Sequence, residues 1–173
     1  MPRQTPSLQY RQQLRSYIVT SRFNTQTWRE NQEFRRKHPK IGCIYGAPDL
    51  INKSIPIDTP LFVLEMNNDT NQIMGIGLVP NRPNALSYAI YSDGNYNRYK
   101  YIGNHYIQRD QMTEEEDHIM QVFDILCFKG NHHMKRGQGL KTFPVDMLYK
   151  CSHRLDLVKF IAEMFKSRIQ SKK

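Results

Sequence analysis

A run of short β-type segments between residues 41 and 109 constrains the fold more than any other feature of the sequence. Apolar and aromatic stretches alternate there with Pro, Gly, Asn and Asp, which favour turns. The six segments are 41–46, 61–66, 73–79, 86–91, 95–101 and 105–109. Turn residues between neighbours predict two hairpins, the second segment with the third and the fourth with the fifth. So many short strands in succession predict a compact barrel or a curved sheet.

Helical patterns flank this region. One helix is predicted over residues 27–37, where Thr27 and Glu30 have the spacing of a capping box. A second is predicted from Thr113, which has a glutamate three residues later and an apolar face at 3–4 spacing. An apolar stripe predicts a terminal helix from about residue 152.

The N-terminal residues are polar and basic, and they predict either a short helix over 8–19 or a loose basic arm over 1–25. A length of 173 residues favours a single domain, 1–173. The predicted fold class is α+β: a small twisted β-barrel or curved antiparallel sheet of about six short strands, with helices packed around it.

The charge is distributed unevenly along the chain. Residues 1–40 hold nine Lys/Arg and two Asp/Glu, residues 41–128 hold five and eleven, and residues 129–173 hold eleven and three. If the basic ends meet in the fold, they form a positive face suited to nucleic acid, an anionic membrane surface or an acidic protein. No apolar run approaches the roughly 20 residues of a membrane helix. Three cysteines suit a reducing compartment, so an intracellular location without a membrane partner is predicted.

The stretch CFKGNHHMKRGQG (127–139) combines three glycines, two histidines and basic side chains. Its last glycine lacks the Lys-Ser/Thr pair of a nucleotide P-loop, and its Cys and His spacings do not match a zinc site. Neither a metal nor a cofactor is therefore predicted. Glycines allow close approach of the main chain to phosphates, while Lys and Arg supply charge. The predicted phosphate-binding residues, including two from the first helix, are Arg35, Arg36, Lys129, Lys135, Arg136, Gln138 and Lys141.

Tyrosines crowd the β region at positions 88, 91, 96, 99, 101 and 106, among asparagines and basic residues. Aromatic rings can stack on bases while amides hydrogen-bond base edges, although tyrosine is also an ordinary strand residue. The only tryptophan, Trp28, lies at a predicted helix start, where it could form one wall of a base pocket. The candidate base-binding residues are Trp28, Asn31, Asn67, Tyr91, Tyr96 and Asn97.

A catalytic alternative arises from Asp49, which follows a proline, and from Glu65 at the end of a predicted strand. This approximates the PD-(D/E)xK arrangement of metal-dependent nucleases, in which two carboxylates hold a divalent ion. Asn67 stands where that pattern requires a lysine. Asp49 and Glu65 are therefore the alternative catalytic residues.

The stretch IDTPLFVLEMNNDTNQIMGIGLVPNRP resembles the central hairpin of PUA-like barrels, the superfamily that contains the YTH and EVE domains. The resemblance lies in an apolar strand, a polar turn and a strand of the form I-x-G-x-G/A-x-V, here Ile73 to Val79. It implies a pocket beside the barrel that accepts a modified base between aromatic walls. The composition and size are also similar to those of proteins of large double-stranded DNA viruses.

The sequence thus predicts a non-catalytic module that binds DNA or RNA, with a pocket for a single base, modified or unmodified, and basic flanks on phosphates. Two alternatives remain: the metal-dependent nuclease, and a structural or adaptor protein of a virion whose basic ends bind an acidic partner. The sequence does not determine the oligomeric state.

Overall fold

The central element of the fold is the predicted hairpin, formed by β3 (Pro60–Asn67) and β4 (Gln72–Pro80). The computed structural model describes residues 5–84 and 89–172. β3 and β4 pair antiparallel, with an irregularity in register next to Glu65. The hairpin prediction is confirmed, because the polar run between the strands forms a local turn.

This hairpin is part of a five-stranded mixed sheet with the order β6 (His105–Gln108), β4, β3, β1 (Tyr17–Phe23) and β7 (Leu140–Thr142). β1 runs parallel to β3, and β7 pairs antiparallel with β1. On the other side, β6 pairs antiparallel with β4. The prediction of an antiparallel sheet is wrong for β1 and β3, since a connection containing a helix joins them and permits parallel pairing.

A second, two-stranded sheet contains β2 (Cys43–Ala47) and β5 (Tyr99–Gly103). The two sheets do not close into a barrel within residues 5–84 and 89–172, so the chain is α+β without the predicted closure. The second predicted hairpin is not formed where it can be observed: residues 94–97 form a 3₁₀ turn. Residues 86–88 of its first strand, including Tyr88, lie outside the described residues.

Five helices surround the sheets in the described parts of the chain: α1 (Pro6–Gln13), α2 (Thr25–Lys37), α3 (Glu114–Phe128), α4 (Val145–Ser152) and α5 (Leu157–Ser171). The predicted capping box at the start of α3 is confirmed. The predicted terminal helix corresponds to α5, which begins at Leu157, and α4 before it was not predicted. The N-terminal segment was predicted to be either a short helix or a loose arm over 1–25. From residue 5 onwards, it forms α1 and β1.

Alternate side chains of β1 enter two different cores, as the two-residue period of a strand requires. Ile18 packs with α3 and α5 on one face of the large sheet, and Val19 packs with the β2–β5 sheet on the other. In the part of the chain that the structure describes, no helix is long and apolar enough to cross a bilayer.

Candidate functional site

A cavity of about 420 Å³ lies where β1 ends and α2 begins. Residues 91–96 line one side, and the glycine-rich stretch 137–139 lines another. Its walls therefore come from the basic N-terminal segment, from the tyrosine-rich region and from the basic C-terminal segment. The side chains and backbone that line it are Ser21, Arg22, Phe23, Asn24, Gln26, Thr27, Glu30, Gly46, Asn68, Tyr91, Ser92, Asp93, Tyr96, Gly137, Gln138 and Gly139.

The junction between β1 and α2 is fixed by a capping box, but not by the predicted pair of residues. Asn24 is the N-cap, and its side chain accepts a hydrogen bond from Thr27 N at 2.8 Å. The Thr27 hydroxyl accepts in return from Asn24 N at 3.0 Å. Glu30, the predicted partner, instead accepts from the Ser92 hydroxyl at 2.6 Å. Its carboxylate thus ties α2 to the opposite wall of the cavity.

Two tyrosines form an aromatic corner on that wall. The Tyr91 and Tyr96 rings are 6.4 Å apart between centroids and nearly perpendicular, at 81°. Tyr91 is buried, and burial raises the pKa of its phenol. Tyr96 is only half-buried, so its ring is the more accessible of the two. Gly46 is required behind this corner, because a Cβ there would clash with the Tyr96 carbonyl oxygen.

The glycine-rich stretch closes the cavity in a backbone conformation that other residues rarely adopt. Gly137 has a φ of 102° and Gly139 a φ of 68°. A Cβ on Gly139 would lie 2.9 Å from the Ala47 Cβ, so this glycine also permits close packing on β2. These two glycines explain why the loop can enter the site at all.

Arg22 is the one cation among the described residues that line the cavity, and its charge is partly buried and has no counter-charge there. Its Nε donates to the Met134 carbonyl, while its Nη1 is buried with no hydrogen-bond partner there. No carboxylate of the described chain forms an ion pair with it. Burial lowers the pKa of the guanidinium. The side chains of Arg22 and Lys141 both approach Gly137, and a Cβ at that position would lie 3.9 Å from the first and 3.3 Å from the second.

Only part of the predicted base-binding set lies at the cavity. Tyr91 and Tyr96 line it, but the three asparagines have structural roles. Buried Asn31 donates to Ile44 O and to the Tyr91 hydroxyl. Asn67 accepts from two backbone N–H groups of the β3–β4 turn. Asn97 forms hydrogen bonds with the backbone of residues 90 and 91. None of the three lines the cavity, and buried Asn31 keeps an Oδ1 without a hydrogen-bond partner among the described residues. Readout of base edges by these amides stays a prediction.

Trp28 is not among the residues that line the cavity. It is half-buried and packs against the core beneath the β2–β5 sheet. Its indole N–H is buried and has no hydrogen-bond partner among the described residues. The prediction places it correctly at the start of α2, but its side chain lies on the face that packs rather than on the face that lines the cavity.

The predicted phosphate ligands divide into two groups. Arg35 is buried and Arg36 is exposed but paired with Glu33 at 2.6 Å, so neither side chain is available as a free cation. Gln138 lines the cavity, and Lys141 lies beside it. Lys129 and Arg136 are exposed and Lys135 is half-buried; the Lys135 carbonyl accepts from Asn68 Nδ2, which fixes the loop to the central hairpin.

Glu65 belongs to a sealed cluster and not to a metal site. Its Oε2 accepts from Arg35 Nη2 at 2.6 Å and from the Tyr45 hydroxyl at 2.9 Å, and its Oε1 accepts from the Tyr106 hydroxyl at 2.7 Å. The carboxylate is fully buried. Burial, reinforced by the charge of Glu65, raises the pKa of both phenols.

Two glycines of β4 make room for this cluster. A Cβ on Gly75 would lie 2.5 Å from the Tyr106 hydroxyl, and a Cβ on Gly77 would clash with the Tyr45 hydroxyl. The Arg35 guanidinium carbon lies 4.3 Å from the Tyr106 ring centroid and 5.4 Å from that of Tyr45. The I-x-G-x-G pattern thus accommodates two rings that hold a buried carboxylate.

The two alternative catalytic residues lie in different surroundings. Both oxygens of Glu65 are occupied, and Asp49 lies exposed in the loop after β2. Within the described residues, no three His, Cys, Asp or Glu side chains converge as a metal site would require.

Sequence reasoning missed Arg22 and Asn24 and assigned Thr27 only a capping role; all three form the cavity wall at the strand–helix junction. The signal was present in SRFNTQT, where a cap residue follows a strand directly. It was overlooked because residues 17–19 were assigned to a helix or an arm.

Comparison of the chain with protein-family models, with curated proteins and with solved structures finds no match in any of the three. A functional assignment therefore depends on the chemistry of the cavity itself. That chemistry combines an accessible ring, amide and hydroxyl groups, two carboxylates and an unpaired arginine beside a glycine-rich loop.

Proposed function

We propose that this chain is a non-catalytic nucleic-acid-binding module whose cavity takes a single base of DNA or RNA. The observation that carries the proposal is the composition of the cavity wall: Arg22 from one basic end and residues 137–139 from the other meet beside Tyr96. The volume of about 420 Å³ lies in the range of small-ligand pockets. The PUA-like assignment, with its preference for a modified base, remains part of this proposal.

The cavity wall offers each type of contact that a base and its phosphate need. The half-buried Tyr96 ring supplies a stacking surface, and stacking is tolerant of base identity. Gln138 can hydrogen-bond a base edge or a phosphate, and the Glu30 and Asp93 carboxylates can accept from exocyclic amino groups. Arg22 and Lys141 supply positive charge beside Gly137 for the phosphate.

Titration of fluorescent DNA and RNA oligonucleotides, with and without methylated bases, at two salt concentrations tests the proposal. Tyr96→Ala should weaken binding about tenfold, because it removes the stacking ring. Tyr99→Ala is the matched control, since Tyr99 is equally half-buried but does not line the cavity. A base preference that survives added salt would support readout of the base itself.

Two results would contradict the proposal. The first is no binding of any DNA or RNA oligonucleotide at low salt. The second is equal loss of affinity in Tyr96→Ala and Tyr99→Ala, because the cavity would then have no specific part in binding. Stable binding of an acidic polypeptide without nucleic-acid affinity would instead support the adaptor function.

A further inference from the structure

A second concave surface lies between α1 and the loop that precedes β3. Its volume is also about 420 Å³, and its lining contains two arginines, Arg11 and Arg15, with amide and hydroxyl side chains around them. None of the residues that line it is acidic. We call it the α1 groove.

Both arginines of the α1 groove are available to an anion. Arg11 and Arg15 are exposed, and neither forms an ion pair with a carboxylate of the described residues. Arg15 makes only weak contacts to neutral groups, from Nη1 to Gln12 O at 3.3 Å and Leu14 O at 3.4 Å. By contrast, the exposed Arg36 and Arg82 each bind a carboxylate at 2.6 and 2.7 Å.

The α1 groove and the cavity lie at opposite ends of one strand pair. β1 begins at Tyr17 in the groove and reaches Ser21 at the cavity, while Thr142 at the end of β7 lines the groove and Gly139, just before β7, lines the cavity. Four residues of a strand separate the two sites by ~13 Å. Residues 18–21 of β1 are buried, whereas Lys141 of the edge strand β7 is exposed and its side chain lies at the cavity end, beside Gly137.

We infer that a single nucleic-acid strand with one base in the cavity continues past the edge strand β7 and places a flanking phosphate on Arg11 and Arg15 in the α1 groove. The inference rests on the proposed function. A concave, polar lining with two arginines and no acidic residue suits a sugar-phosphate chain. The separation exceeds one nucleotide, so the occupant is an oligonucleotide and not a mononucleotide.

Comparison of ligand lengths tests this path. The affinities of a nucleoside monophosphate and an octanucleotide are measured by fluorescence or calorimetry for the native chain, for R11Q/R15Q and for K159Q/K166Q. The last variant removes the same charge from exposed positions of α5, away from both concave surfaces. For R11Q/R15Q, the gain in affinity from monophosphate to octanucleotide should fall about tenfold. The salt slope should decrease by about 0.7 for each phosphate that the variant no longer neutralises.

The outcomes distinguish the proposed path to the α1 groove from the binding of a base in the cavity. If R11Q/R15Q keeps the native length dependence and salt slope while Tyr96→Ala loses affinity, the path is wrong and the proposed function stands. An equal loss in K159Q/K166Q would also overturn the path, because it would reflect net charge alone. If polyglutamate competes as well as the octanucleotide, the groove recognises acidic peptides and the inference fails. Absence of binding to both nucleic-acid ligands would overturn the proposed function with it.

Discussion

Two arginines on neighbouring elements differ in whether their buried charge has a carboxylate partner. Arg35 on α2 is 9% exposed and binds Glu65, and its guanidinium lies over the Tyr45 and Tyr106 rings. Arg22 at the end of β1 is also partly buried, but it has only a carbonyl partner within the described chain. A buried charge that is paired with a carboxylate defines the architecture, whereas one left without a counter-charge in a cavity wall is suited to an anionic ligand.

Removing the carboxylate partner of Arg35 should produce the largest effect on stability. Glu65→Gln leaves Arg35 buried without a carboxylate, so the free energy of unfolding should fall by about 3–5 kcal/mol. Urea denaturation measures this change. Glu33→Gln, which breaks only the exposed pair with Arg36, should be indistinguishable from the native chain. A small effect of Glu65→Gln would show that the buried pair does not hold the fold together.

Adding a methyl group next to the Glu65 cluster should have the next largest effect on stability. Gly77→Ala would force the Tyr45 ring away from Glu65, and we expect a loss of about 1–3 kcal/mol in unfolding free energy. Gly94→Ala is the matched control, because no atom lies within 4 Å of a Cβ there. Thermal unfolding of the two variants measures the difference. Equal melting temperatures would mean that β4 does not need its glycine for the tyrosine ring.

Arg168 on α5 is a third arginine and provides an intermediate case. It binds Glu116 at 2.6 Å, and this hydrogen bond holds the pKa of Glu116 below its usual 4.5. The carboxylate therefore contributes stability above pH 4.5 that is lost as the pH falls through its folded pKa. Glu116→Gln should cost about 1 kcal/mol at neutral pH and flatten the acid limb of the stability curve. Glu163→Gln on the exposed face of α5 serves as the control, and an unchanged acid limb in Glu116→Gln would contradict the assignment.

Arg22→Gln should have the smallest effect on folding and a clear effect on binding. Because Arg22 has no counter-charge to lose among the described residues, we expect a change within about 0.5 kcal/mol in unfolding free energy. Oligonucleotide affinity should fall about tenfold, as a charge-assisted phosphate contact is removed. Urea denaturation measures the unfolding free energy, and oligonucleotide titration of the same sample measures the affinity. A destabilisation as large as that of Glu65→Gln would remove the distinction between the two arginines.

The elements that sequence reasoning predicted are those specified by neighbouring residues. The β3–β4 hairpin follows from a polar turn between apolar runs, and the start of α3 follows from its capping box. β1 and β7 were missed because their pairing joins residues 19–21 to 140–142, and β7 has only three residues. No local pattern specifies contacts between such distant segments.

The same limit applies to the site. Glu65 was interpreted as a strand-end carboxylate because its partner, Arg35, lies 30 residues away in the sequence. The tyrosines at 91 and 96 and the glycine-rich loop were identified by residue type, and they do lie at one cavity. The hydrogen bonds that Asn31, Asn67 and Asn97 make within the protein could not be predicted, because residue type does not distinguish an amide that bonds the backbone from one that faces a ligand.

The β1–β7 pair also determines when the cavity can exist. A nascent chain emerging from a ribosome can form the β3–β4 hairpin early, but the glycine-rich wall arrives only after residue 137 has been synthesised. The cavity is therefore completed only after the main hairpin can form, so a partly synthesised chain has that hairpin before it has the cavity.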